Sequence, residues 1–90
     1  MIARRFYVRG LVQGVGFRWF VIHSAERLKL TGWTRNLPDG RVEVLAQGEA
    51  PDLDALARDL SAGPRAARVE EVESIDEAPD SKLRHFTVRY

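Results

Sequence analysis

Three features of the sequence predict an α+β domain in which two helices cover one face of a single antiparallel sheet. Segments alternating apolar and polar residues flank two segments with helical spacing, and glycine or proline marks the changes of period. Each helical segment has one apolar stripe, so both stripes must bury against the same sheet face. A tight Pro38-Asp39-Gly40 turn then pairs the two middle strands as a hairpin.

Arg5 to Gly10 places Phe6 and Val8 on one side and Tyr7 and Arg9 on the other, which predicts a first strand. A glycine-rich loop leads into a helix with apolar positions Phe17, Phe20, Val21, Ala25 and Leu28. Thr31-Gly32 is expected to end that helix, glycine being common just past a helix terminus. Trp33 to Leu37 reads as the second strand. Arg41 to Gln47 reads as the third, with Val42 and Val44 inward and Arg41 and Glu43 on the opposite side.

Pro51 suits the first turn of a second helix, where Asp52 and Asp54 would favour the positive end of the macrodipole. Leu53, Leu56, Ala57 and Leu60 form its stripe, and Gly63-Pro64 stops it. A fourth strand is expected over Ala67 to Asp76. Its apolar phase slips between Val69 and Val72, which predicts a bulge. After a polar loop from Glu77 to Lys82, Phe86, Val88 and Tyr90 alternate as a closing strand. The order is β-α-β-β-α-β plus one strand, a ferredoxin-like split β-α-β sandwich with an extra C-terminal strand. No repeat or linker interrupts it, so residues 1–90 are expected to form a single domain.

A chain of 90 residues is long enough to bury roughly 60–70% of its unfolded surface. Its 44% hydrophobic and 30% charged content fits a globular domain and excludes a disordered tail. No apolar run approaches a membrane span and no signal-peptide pattern opens the chain, so a cytoplasmic protein without a membrane partner is expected. The net charge of +1 argues against a dedicated nucleic-acid binder. Twelve of the 14 basic residues are arginine, a bias that a hot environment or a GC-rich genome would each produce. With no cysteine there is no disulfide, thiolate nucleophile or thiolate metal site.

The loop Gly10-Leu11-Val12-Gln13-Gly14-Val15-Gly16-Phe17-Arg18 is the most distinctive stretch. Glycines let backbone amides crowd around a ligand, and the helix N-terminus behind them is partially positive. Arg18 falls in the first helical turn, where a cation is mildly disfavoured unless an anion lies between it and the amides. The stretch therefore reads as an oxyanion cradle.

Other chemistries find less support. No Gly-Lys-Ser/Thr follows the glycines, so this is not a triphosphate-binding P-loop. A dinucleotide fingerprint would require Gly or Ala where Trp19 stands. His23 and His85 lack metal-ligand spacing, and no metal or cofactor site is expected. Glu70, Glu71, Glu73, Asp76 and Glu77 read as a solvated face, and no Ser-His-Asp spacing stands out. Asn36, the single asparagine, ends the second strand; turn chemistry alone would make it an Asx turn-former.

Together, Gly10-x-Val12-Gln13-Gly14-Val15-Gly16-Phe17-Arg18 and Gly32-Trp33-Thr34-Arg35-Asn36-x-x-x-Gly40-x-Val42, with Gly48 beyond, closely resemble the acylphosphatases. The resemblance extends over the whole chain in length, element order and both motifs. Thr34 departs from the family's usual small aliphatic residue, which a strand accommodates equally well. The resemblance implies hydrolysis of a small-molecule acyl phosphate to carboxylate and phosphate, without metal or cofactor. It assigns Arg18 and Asn36 as the essential pair and places the phosphate-binding amides on Gly14, Val15, Gly16, Phe17 and Arg18.

The residues suit that chemistry. An acyl phosphate expels a carboxylate whose acid has a pKa of about 4–5, so no strong general acid is needed. Asn36 offers both a carbonyl acceptor and an amide donor, enough to hold a water. An RNA-binding domain of the same architecture would stack bases on aromatics of the third strand, which has none. A non-catalytic anion-binding or regulatory domain is the alternative, because fold alone does not establish activity. Acylphosphatase-like domains also open larger carbamoyl-transferring maturation proteins, but a chain ending at Tyr90 without a linker is expected to be a free-standing monomer.

Overall fold

In the computed structural model, which describes residues 1–90, the alternating segment around Phe6 extends to a ten-residue strand, β1 (Ile2–Leu11). It is followed by α1 (Phe17–Arg27), β2 (Thr31–Asn36), β3 (Val42–Gly48), α2 (Ala50–Ala62), β4 (Arg68–Glu77) and β5 (Phe86–Val88). The sheet order is β4-β1-β3-β2-β5. The first four strands are antiparallel, and β5 adds parallel to β2 through Gly32–Phe86, Trp33–Thr87 and Thr34–Val88. This is the expected ferredoxin-like α+β fold with its extra strand.

The core lies between the sheet and both helices. Phe6 and Val8 of β1, Val42 and Val44 of β3, Val21 and Ala25 of α1, and Leu53, Leu56 and Leu60 of α2 have no exposed surface. Burying one such Val, Leu or Phe side chain stabilises a fold by about 1.5–3 kcal/mol, so this layer is the principal favourable contribution. The expected bulge is present. Arg9 pairs with Glu71 and Gly10 with Val69, leaving Glu70 as the extra residue on β4.

The first helix ends earlier than expected, and by a different residue. Lys29 adopts a left-handed φ of 59°. Its N–H donates to the Glu26 carbonyl at 3.1 Å, and the Leu30 N–H reaches the Ala25 carbonyl at 2.9 Å. These two bonds form a Schellman ending, with Leu30 and Ala25 both buried beneath it. Thr31 and Gly32 therefore belong to β2. Gly32 serves strand approach instead, because a Cβ there would sit 1.8 Å from the Leu45 carbonyl oxygen of β3.

Other expectations change by smaller amounts. Phe20 is only half-buried, and Ser24 takes the buried position on α1. Asp54 lies beyond the first turn of α2 and pairs with Arg4 of β1 at 2.7 Å, which leaves Asp52 as the acid near the dipole. β5 stops at Val88, its last paired residue opposite Thr34 of β2, and Tyr90 is fully exposed. The acidic run is solvated at Glu70, Glu71, Glu73 and Asp76, while Glu77 is half-buried against Arg5.

The sheet face away from the helices is not bare. Glu43 is 2% exposed and bridges Arg5 and Arg35, each at 2.5 Å. The guanidiniums of Arg5, Arg35 and Arg89 stand 5.5, 5.3 and 4.4 Å from the Trp33 ring, within cation–π range. Burial pushes the Glu43 carboxyl up, but hydrogen bonds from Arg35 and Arg5, with a smaller one from Tyr7, hold it below the ordinary glutamate value.

Candidate active site

The site forms where β1 hands the chain to α1. Gly16 is the N-cap of α1 and takes a left-handed φ of 78°, so no side chain caps the helix. The first helical bond runs from the Phe20 N–H to the Gly16 carbonyl at 3.1 Å, and no backbone carbonyl accepts from the N–H groups of Gly14 through Trp19. Six consecutive donors are therefore available to a ligand, at the end of a helix whose dipole favours an anion. A Cβ added at Gly16 would meet nothing within 4 Å, so it is the left-handed φ, not crowding, that calls for glycine there.

A cavity of about 170 Å³ lies against this loop, lined by Val12, Gly14, Gly16, Phe17, Arg18, Trp19 and Asn36. Arg18, on the second residue of α1, thus shares one cavity with Asn36, the last residue of β2. Carboxylates pair with Arg4, Arg5, Arg9, Arg27, Arg35 and Arg41, and none pairs with Arg18. Its guanidinium instead stands 5.5 Å from the Tyr90 ring, so its hydrogen-bonding fork is unspent.

The Asn36 side chain takes no part in the hairpin turn. That task falls to Asp39, whose Oδ1 accepts from the Arg41 N–H at 3.1 Å and whose Oδ2 accepts from Arg41 Nε at 2.8 Å. The backbone and side-chain hydrogen bonds from Arg41 hold the Asp39 carboxyl below its ordinary value against the opposing effect of burial. Asn36 Oδ1 is covered by its neighbours and receives no hydrogen bond. A buried acceptor without a donor costs about 1–3 kcal/mol, so the amide carries unspent bonding capacity at the cavity wall.

Of the residues singled out in the sequence, the cavity unites Gly14, Gly16, Phe17, Arg18 and Asn36. Val15 lies in the same loop, but its side chain packs against the core. His23 and His85 are exposed, and no three metal-ligating side chains gather anywhere in the chain. No helix is long and apolar enough to cross a membrane.

Sequence reasoning gave Gln13 no role. Its Nε2 donates to the carbonyls of Leu37 and Arg41 at 2.8 and 2.9 Å, tying the loop to the hairpin that carries Asn36. Its place between Val12 and Gly14 was the available signal. The two tryptophans also separate: Trp19 lines the cavity and is 68% exposed, whereas Trp33 is 6% exposed beneath the arginines of the far face.

Comparison with known proteins bears on what this cavity serves. The acylphosphatase family model matches residues 4–88. A Koribacter versatilis protein named acylphosphatase is 55% identical over 85 residues, covering 94% of this chain and 77% of the relative. The crystal structure of acylphosphatase from Bacillus subtilis superimposes with a TM-score of 0.96 at 36% identity, over all of both chains. The structure of an acylphosphatase from Coxiella burnetii gives 0.90 at 39% identity, covering 98% of this chain and 92% of the other. Sequence, fold and the loop-to-hairpin cavity agree: this chain belongs to the acylphosphatase family and is an enzyme that hydrolyses acyl phosphates.

Proposed function

We propose that the phosphoryl group of the acyl phosphate sits on the amides of Gly14, Val15, Gly16, Phe17 and Arg18, and that Asn36 positions the attacking water. The observation that carries this reading is the single cavity lined by the glycine loop, the unpaired Arg18 and Asn36. The free N–H groups of the loop and the fork of Arg18 are donors complementary in sign to the oxygens of a phosphoryl group. As charge spreads over those oxygens in the transition state, donors already in place stabilise it without reorganising.

The Asn36 carbonyl accepts a hydrogen bond from the water and its NH₂ donates one, which fixes the water's orientation toward phosphorus. The water oxygen forms the new P–O bond while the bond to the acyl oxygen breaks. The electron pair leaves with the carboxylate, and the water's proton passes to a phosphoryl oxygen. A carboxylate with a conjugate-acid pKa of about 4–5 departs without a general acid. The cavity wall holds no Cys, His or carboxylate, so direct attack by water fits it better than a covalent phosphoenzyme.

Hydrolysis of benzoyl phosphate in EDTA, measured beside Asn36→Ala, tests the assignment. The parent should turn over. The variant should lose turnover while still binding inorganic phosphate with the parent's affinity. A variant that keeps its turnover but loses affinity would overturn the water-positioning role.

A further inference from the structure

We infer that the indole of Trp19 is the platform for the acyl group, and that the cavity selects acyl phosphates whose acyl group is aromatic and flat. The inference rests on the proposed seating of the phosphoryl group. The cavity is bipolar: Gly14, Gly16, Arg18 and Asn36 supply its polar wall, while Val12, Phe17 and Trp19 supply the apolar one. Val12 and Phe17 are each 1% exposed and can only floor it. Trp19 alone among the apolar lining presents a face to solvent, at 68% exposure.

Volume decides where the acyl group goes. A cavity of about 150 Å³ accommodates one benzene ring. The roughly 170 Å³ here therefore cannot enclose a phosphoryl group and an aromatic acyl group together. With the phosphoryl group on the amides, the acyl group lies at the mouth. Trp19 follows Arg18 directly in α1, so its ring borders the mouth beside the guanidinium.

That ring is also supported. His23, one helical turn on, places its imidazole 6.3 Å from the indole at an interplanar angle of 40°. Trp33, the other indole, is enclosed on the far sheet face and cannot serve. An indole face favours offset stacking with a flat π-system and gains little from a methyl group, which gives the platform its selectivity.

The test compares kcat/KM for benzoyl phosphate and acetyl phosphate in the parent, Trp19→Ala and Trp19→Phe, with inorganic phosphate inhibition as a separate readout of the cradle. Trp19→Ala should lower the benzoyl-to-acetyl ratio by about 3- to 10-fold, mainly through KM for the benzoyl substrate. Trp19→Phe should recover most of the ratio, and phosphate should inhibit all three proteins alike. An unchanged ratio in Trp19→Ala, with both substrates hydrolysed, would overturn the platform and leave the phosphate assignment standing. Equal losses for both substrates with weakened phosphate inhibition would also overturn it, because Trp19 would then be shaping the cradle. A parent that phosphate does not inhibit would remove the phosphate assignment and this inference with it.

Discussion

The side-chain amide of Gln13 donates to the Leu37 carbonyl at 2.8 Å and, with its second hydrogen, to the Arg41 carbonyl at 2.9 Å. Leu37 and Arg41 are themselves joined across the neck of the hairpin by a 2.8 Å backbone bond. One amide therefore fastens the loop that leads to Arg18 onto the turn that follows Asn36. The two parts of the site come from separate elements, and this is a polar link between them.

Replacing Gln13 by Leu should accordingly act through Asn36. Two carbonyls lose a donor, which costs about 1–2 kcal/mol of stability by urea denaturation. Small displacements of a positioning group lower rates steeply, so kcat for benzoyl phosphate should fall about 10-fold or more. Inorganic phosphate should still inhibit, because the loop amides remain. A loss of stability with kcat intact would show Gln13 to be structural only.

Arg18→Ala should lose about 10²–10³-fold in kcat/KM, the range for removing a preorganised donor to a transition-state oxyanion. Phosphate inhibition should weaken in parallel. Since no carboxylate in the fold pairs with Arg18, its thermal midpoint should match the parent's. A stable variant with undiminished activity would remove Arg18 from the site.

Glu43→Gln should destabilise the protein by about 1–3 kcal/mol at neutral pH, since it takes a buried carboxylate from two arginines. The folded-state pKa of Glu43 is depressed, so its contribution is fully present above the ordinary value of 4.5. The contribution is lost as pH falls through the lowered folded value. Urea denaturation of parent and variant should therefore differ most above that value and converge as the solution is acidified below it. A gap independent of pH would assign the cost to packing rather than charge.

Much of the fold was legible because its signals are local. Strand alternation, the stripe Leu53-Leu56-Leu60 and even the bulge beside Val69 follow from neighbours along the chain. The end of α1 was misread because Gly32 looked like a helix stop. Lys29 accepts the left-handed position there, at a cost of about 1–2 kcal/mol, as Leu30 packs beneath it. Gly32 answers a contact with Leu45, a residue of another strand, which local reasoning could not anticipate.

The candidate site divides along the same line. The glycine loop and Arg18 announced an anion cradle by themselves, since their chemistry lies within a few residues of chain. Asn36 by itself read as a turn residue. Its place in the cavity depends on the hairpin register, and the turn role passed to Asp39.

Taken alone, the sequence determined the order of elements, the shared face of the two helices and the position of the glycine loop ahead of α1. Periodicity, capping and turn chemistry act over single turns and neighbouring residues. The tertiary structure decided which of two tryptophans faces the cavity, that Glu43 is buried between arginines, and that Gln13 reaches the hairpin. Each of these depends on strand register and on how the helices lie across the sheet, which no residue specifies without its distant partners.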